Sequence, residues 1–86
     1  MTDAVDVNSA DSWPDDADDV AEGYLANWFV REGSAVDEGE TLCEIQVEKV
    51  SIDVAAPTTG TVAERLVGEG DDFARGDVLA RVQPSA

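Results

Sequence analysis

An internal repeat constrains this chain more than any other feature. Sliding the sequence by 37 positions lays Gly23 to Gln46 over Gly60 to Gln83. Gly23/Gly60, Ala26/Ala63, Val30/Val67, Glu32/Glu69, Gly33/Gly70, Gly39/Gly76, Leu42/Leu79 and Gln46/Gln83 are identical, which is eight of 24 aligned positions. Leu25/Val62, Phe29/Leu66, Val36/Phe73 and Ile45/Val82 are similar pairs. A solenoid needs about three or more repeats to be stable. Two copies in 86 residues therefore predict one small domain with internal pseudo-twofold symmetry.

Each unit reads the same way. A glycine opens an apolar strand, Leu25 to Val30 or Val62 to Val67, and a Glu-Gly turn follows. A brief segment around Val36 or Phe73 leads to a second glycine turn, Gly39-Glu40 or Gly76-Asp77. The last strand is Leu42 to Val47 or Val78 to Val82. Short β-branched and aromatic runs between glycine turns indicate an all-β sandwich or barrel with almost no helix. Between the units, Val50, Ile52 and Val54 alternate with Ser51 and Asp53, a strand with one buried face that Pro57 and Gly60 end. Glu48-Lys49 falls where Leu42 to Val47 turns back, at a hairpin tip. Upstream, Asp15 to Asp19 is a loop by charge, and Ser12-Trp13-Pro14 closes an edge strand before it. The expected division is an acidic, flexible segment over 1–11, the domain over 12–83 and a tail over 84–86.

Composition removes several kinds of function. With no His and one Cys, the chain has no imidazole base, no tetrahedral zinc site and no internal disulfide. A net charge of -15 repels phosphate backbones and anionic lipid, so neither nucleic acid nor membrane is an expected partner. No apolar run spans a bilayer and no basic-apolar leader opens the chain, which places it in the cytoplasm. Twenty acids against four Arg and one Lys resemble proteins of salt-loving, haloarchaeal cytoplasm. Cys43 aligns with Ala80 and reads as a small core residue; Trp13, Trp28, Phe29 and Phe73 read as core or partly covered aromatics.

Lys49 is the only lysine. A plain exposed turn residue is one reading; a functional amine at the symmetry boundary is the other, and its neighbours favour the second. Val20-Ala21-Glu22-Gly23, Trp28 to Gly33, Gly39 to Ile45, Glu48-Lys49-Val50, Ile52 to Pro57, Thr59 to Val62, Gly70-Asp71 and Gly76 to Ala80 follow one pattern in order. That pattern resembles the biotinyl/lipoyl attachment domain family, specifically the lipoyl branch found in dihydrolipoyl acyltransferases. The resemblance covers Trp13 to Gln83.

The resemblance implies a flattened barrel, a barrel-sandwich hybrid of two antiparallel sheets, with the acceptor lysine at a hairpin tip. It implies lipoate joined to Lys49 as a swinging arm between active sites of a 2-oxoacid dehydrogenase complex. The protein is then a carrier and not an enzyme. The implied partners are a lipoate-attaching enzyme and the dehydrogenase, acyltransferase and dihydrolipoamide dehydrogenase components, with the carrier itself a monomer. Glu48, Val50 and Val47 would be read around the tip, and Gly33, Gly39, Gly60, Gly70 and Gly76 would shape the turns. The acidic run matches the position of a loop that lies beside the lysine in this family, against the simpler reading of a solubilising loop. Biotin acceptors typically flank their lysine with Met, whereas Glu48 and Val50 fit the lipoyl form; Gln46 and Val47 depart from the usual Glu and Thr or Ser. The Met start and polar end suggest a free-standing carrier. The competing readings are a biotin carboxyl carrier, a glycine-cleavage carrier, and an unmodified acidic interaction module.

Overall fold

The computed structural model describes residues 3–17 and 19–85. Met1, Thr2, Asp18 and Ala86, which belong to the N-terminal segment, the acidic run and the tail distinguished above, lie outside the described residues. Among the described residues eight strands form: β1 (Val5–Asn8), β2 (Glu22–Trp28), β3 (Ala35–Val36), β4 (Thr41–Val47), β5 (Val50–Ala55), β6 (Gly60–Arg65), β7 (Asp72–Ala74) and β8 (Val78–Pro84). All pairings are antiparallel, in two four-stranded sheets ordered β1-β8-β6-β3 and β5-β4-β2-β7. The all-β, two-sheet expectation holds, and the helical content described is two 3₁₀ turns, Ser9–Ser12 and Asp15–Ala17.

The repeat maps one sheet onto the other. Moving 37 residues along the chain takes β2, β3 and β4 to β6, β7 and β8. Each short strand crosses over: β3 pairs with β6 and β7 with β2. The hydrogen bonds repeat as well. The Leu25 N–H donates to the Asp71 carbonyl (2.9 Å) and the Gly70 N–H to the Leu25 carbonyl (2.8 Å). Their counterparts run from Val62 to Ser34 (2.9 Å) and from Gly33 to Val62 (2.7 Å). At the waist, the Trp28 N–H donates to the Glu69 carboxylate (3.0 Å) and the Arg65 N–H to that of Glu32 (2.9 Å). The Arg65 guanidinium lies 5.5 Å from the centre of the Trp28 ring, a cation–π contact on the pseudo-axis.

Strand pairing slips at matching places, between Leu25 and Asn27 and between Val62 and Glu64, then around Leu42 and Leu79. Bulges of this kind set two residues against one and break strict alternation. That is why Leu42 and Cys43 are both buried in β4, and Leu79 and Ala80 in β8. With Leu25, Ile45, Val47, Val54, Val62 and Val82 they fill the space between the sheets. Burial holds the Cys43 thiol pKa up at about 12, so this cysteine stays a protonated core side chain.

Several sequence expectations shift. The first edge strand is Val5–Asn8, inside the segment set apart as 1–11, and Ser12-Trp13-Pro14 follows it in a 3₁₀ turn and loop. Pro84 closes β8 and the Ser85 N–H donates to the Thr59 carbonyl (3.0 Å), so the final sheet extends past Gln83. β2 and β6 begin and end earlier than Leu25 to Val30 and Val62 to Val67, because the chain leaves each sheet at Trp28 or Arg65 to bind across the waist. Phe29 is 57% exposed, on the rim of the waist and outside the core.

Gly33, Gly39, Gly70 and Gly76 have φ between 88° and 95°, as turns favouring glycine require. Gly60 differs: it is the buried first residue of β6, and a Cβ there would run into the Gln83 carbonyl of β8. Since backbone cannot give way as a side chain can, Gly60→Ala is expected to lower stability by about 1–3 kcal/mol, read as a fall in the urea midpoint at unchanged m-value.

Candidate functional site

The tip of the β4–β5 hairpin is built from its base upward. Val47 pairs with Val50 and closes a loop of only two residues, Glu48 and Lys49. Val47 is fully buried and ties the end of β4 to the core. Glu48 has φ 57°, the one described non-glycine residue in the left-handed region. A positive φ at the first central residue is what the primed turns of two-residue hairpins share. Lys49 is exposed, and its ammonium makes no hydrogen bond or ion pair among the described residues. Val50 follows at 46% exposure. The sequence-predicted residues thus separate: Glu48, Lys49 and Val50 are accessible, whereas the Val47 side chain cannot be touched by a partner.

β5 carries the chain away from the tip. The Ala56 N–H reaches the Glu40 carbonyl (2.8 Å), and the Thr59 carbonyl meets Ser85. The C-terminal end of β8 therefore lies at the opposite pole of a body with extents 38 × 20 × 18 Å.

Beside the lysine lies the loop expected there. A cleft of about 470 Å³ is lined by Pro14, Asp16, Ala17, Asp19 and Val20 on one wall and by residues 47–50 on the other. The cleft that Lys49 lines is also lined by three acids, Asp16, Asp19 and Glu48. The loop is held from inside. Trp13 is buried and its indole N–H donates to the Ala17 carbonyl (3.1 Å). The edge of one ring meets the face of the other where Trp13 packs on Phe73, centroids 6.1 Å apart at 81°. The Arg75 guanidinium covers the Trp13 ring at 5.9 Å. Phe73 in turn occupies the space at Gly23, where a Cβ would stand 2.7 Å from the ring.

Sequence reasoning placed Lys49 and the loop but missed the Trp13 latch and the apolar lining from Pro14 and Val20. The available signal was a large aromatic immediately before the acidic run, with apolar residues at both ends of that run.

The family model described as Biotin-requiring enzyme, Biotin_lipoyl, matches residues 12–82. The chain belongs to the biotin/lipoyl attachment family. Its relatives specify the lipoyl type. The biotin/lipoyl domain is 35% identical over 69 residues to a dihydrolipoyllysine-residue acetyltransferase component of pyruvate dehydrogenase complex from Staphylococcus epidermidis. The component of the same description from Staphylococcus aureus is likewise 35% identical over 69 residues. In each case the match covers 80% of this chain and 16% of the relative, so the domain spans about a sixth of their length. Among solved structures, the lipoyl domain of the 2-oxoglutarate dehydrogenase complex from Azotobacter vinelandii superposes with a TM-score of 0.72 at 26% identity, covering 96% of this chain and 98% of that one. The biotin/lipoyl domain is thus a carrier domain of lipoyl type.

Proposed function

We propose that Lys49 carries lipoate in amide linkage and that the domain shuttles acyl groups and electrons between the active sites of a 2-oxoacid dehydrogenase complex. The observation that carries this reading is the one lysine of the chain, exposed and without an ion-pair partner among the described residues, at the apex of a two-residue hairpin in a lipoyl-type domain. The residues present suit the group: the amine is accessible, its turn is fixed at the base by buried Val47, and open space lies alongside it. Bound lipoate supplies reversible disulfide–dithiol exchange and thioester formation. The protein's own residues position it. The hairpin aims the amine outward, and tethering raises the arm's local concentration at each client site. Glu48 and Val50 are the side chains a lipoate-attaching enzyme reads around the amine, and Asp16 and Asp19 the charges that client enzymes meet. The dehydrogenase, acyltransferase and dihydrolipoamide dehydrogenase components are those clients, and the carrier works as a cytoplasmic monomer.

Intact mass of the protein from its own host, grown with lipoate, tests this. A lipoyl increment mapped to the Lys49 peptide is expected. A biotin increment or an unmodified mass would overturn the reading in favour of a carboxylase carrier or an unmodified module.

The charge points to a salt-rich, haloarchaeal cytoplasm. Arg81 pairs with Asp6 (3.0 Å) and Glu64 (3.3 Å), but five basic residues cannot neutralise twenty acids. The Debye length falls from about 30 Å at 0.01 M to about 3 Å at 1 M salt. Repulsion between neighbouring surface carboxylates a few ångströms apart is therefore screened only at high salt. The thermal midpoint is expected to rise continuously over that range, to the same extent in KCl and NaCl. A flat profile would refute the salt adaptation and leave the carrier assignment standing.

A further inference from the structure

We propose that the waist is a docking surface for an extended segment of a partner protein that carries carboxylates beside a large apolar side chain, taken up by Arg31 and Arg65 and by Phe29 and Leu66. This is independent of what Lys49 carries. The waist holds a groove of about 600 Å³, lined by residues 28–32 and, across the pseudo-axis, by Arg65 and residues 67–69. The chain sets five basic residues against twenty acids, yet two of the five, Arg31 and Arg65, line this one groove. Neither of these guanidinium groups has a carboxylate partner among the described residues, and that of Arg31 makes no hydrogen bond there. Arginine holds five N–H donors in a planar fork that fits a carboxylate. In a chain with acids to spare, two open forks call for a carboxylate supplied from outside. Apolar exposure marks the same place. Phe29 and Leu66, 57% and 42% exposed, are two of the four large hydrophobic residues left exposed among those described. They are also a matched pair of the repeat, so each half brings one to the waist.

The groove is formed before anything binds. The Trp28 indole N–H donates to the Val67 carbonyl (2.9 Å), and the Arg65 guanidinium, lying over that ring, donates to the Val30 carbonyl (3.4 Å). A fork held in place loses less freedom on binding than a mobile one. Glu32 and Glu69 also line the groove, each fixed by a backbone N–H of the opposite half. Two Glu offset two Arg, so the groove is neutral in a chain of net charge -15. A small free anion meets both signs at once and has little to hold it. A protein segment adds an apolar side chain against Phe29 and Leu66 while its acids reach the forks, and arginine with aromatic anchors is the mix that protein interfaces favour. Trp28 pairs with Cys43, four residues along β4 from Val47. At about 3.3 Å per residue the groove is about 13 Å from the base of the tip. A segment docked at the waist therefore leaves Lys49 uncovered, and the tip's own contact with that partner becomes intramolecular.

The test follows backbone amide and arginine Nε–Hε resonances of the isotope-labelled full chain in about 1 M KCl, where repulsion from the acidic surface is screened. The probe is the peptide acetyl-Ser-Asp-Leu-Phe-Asp-Ser-amide, with acetyl-Ser-Asn-Leu-Phe-Asn-Ser-amide as its uncharged match. Saturable shifts confined to residues 28–32 and 65–69 and to both arginine side chains are expected, with the asparagine peptide about tenfold weaker. Arg31→Gln removes one fork and no contact within the domain, so about threefold weaker binding at an unchanged thermal midpoint is expected. Phe29→Ser removes an exposed anchor, and about fivefold or greater weakening is expected. Equal binding of the two peptides, or wild-type affinity in Arg31→Gln, would overturn the carboxylate forks and the proposal with them. Shifts centred on residues 47–50, or none at millimolar peptide, would overturn it as well. Shifts at the waist that grow with protein concentration in the absence of peptide would assign this face to a second copy of the chain and refute the proposal. None of these outcomes alters the mass found at Lys49, so the carrier reading stands or falls separately.

Discussion

Lys49→Arg is expected to abolish lipoyl attachment completely while leaving the fold unchanged. Arginine keeps the positive charge, but its guanidinium is delocalised, remains protonated and offers no amine for acylation. Lys49 is exposed and makes no hydrogen bond or ion pair among the described residues, so the substitution removes no structural contact. Surface changes of this kind stay within about 0.5 kcal/mol. Intact mass and thermal melting together check the result. The variant should show an unmodified mass at a wild-type midpoint, and acyl transfer through the domain should vanish. A modified variant would place the attachment elsewhere. A melted variant would show that the tip lysine has a structural role the geometry does not reveal.

Trp13→Ala should give the largest loss of stability. A buried tryptophan truncated to alanine costs about 3–5 kcal/mol, against a typical total of about 5–15 kcal/mol. Here the indole also donates to Ala17, meets Phe73 edge to face and lies under Arg75. For a domain of this size the thermal midpoint is expected to fall by roughly 12 °C or more. Trp13→Phe separates packing from hydrogen bonding: it retains most of the ring and should lose about 1 kcal/mol for the missing N–H donor. The alanine variant should also free the Asp15–Ala17 turn, and amide exchange of residues 14–20 is expected to accelerate before the sheets open. Equal exchange in both proteins would mean that the loop is held by something other than Trp13.

The parts of the fold legible in the sequence were those that repeat. Glycines 37 residues apart marked turns that the structure closes with nearly equal φ angles, and similar apolar pairs such as Leu25/Val62 and Ile45/Val82 became matched core positions. The lysine was legible because a two-residue tip leaves little doubt about what stands at its apex. Less legible were features set by contact across the chain. Gly60 looked like another turn glycine, but its constraint comes from Gln83, distant in sequence. Val47 looked accessible from its place next to Glu48, but strand alternation turns it inward. Phe29 was expected to be covered because aromatics usually are, yet the chain leaves the sheet one residue before it. β1 had no counterpart in the repeat that could be found by sliding the sequence. In its sheet it takes the place that β5 holds in the other, so symmetry accounts for it only after both sheets are seen.

The crossover of β3 and β7 has a mechanical result. Each half lends a strand to the sheet made by the other, so neither owns a complete sheet. Prising one unit loose would strip both layers at once and expose the shared interior. Such interlocking favours an all-or-none loss of structure over partial opening, and it gives the tip a footing that does not loosen piecemeal.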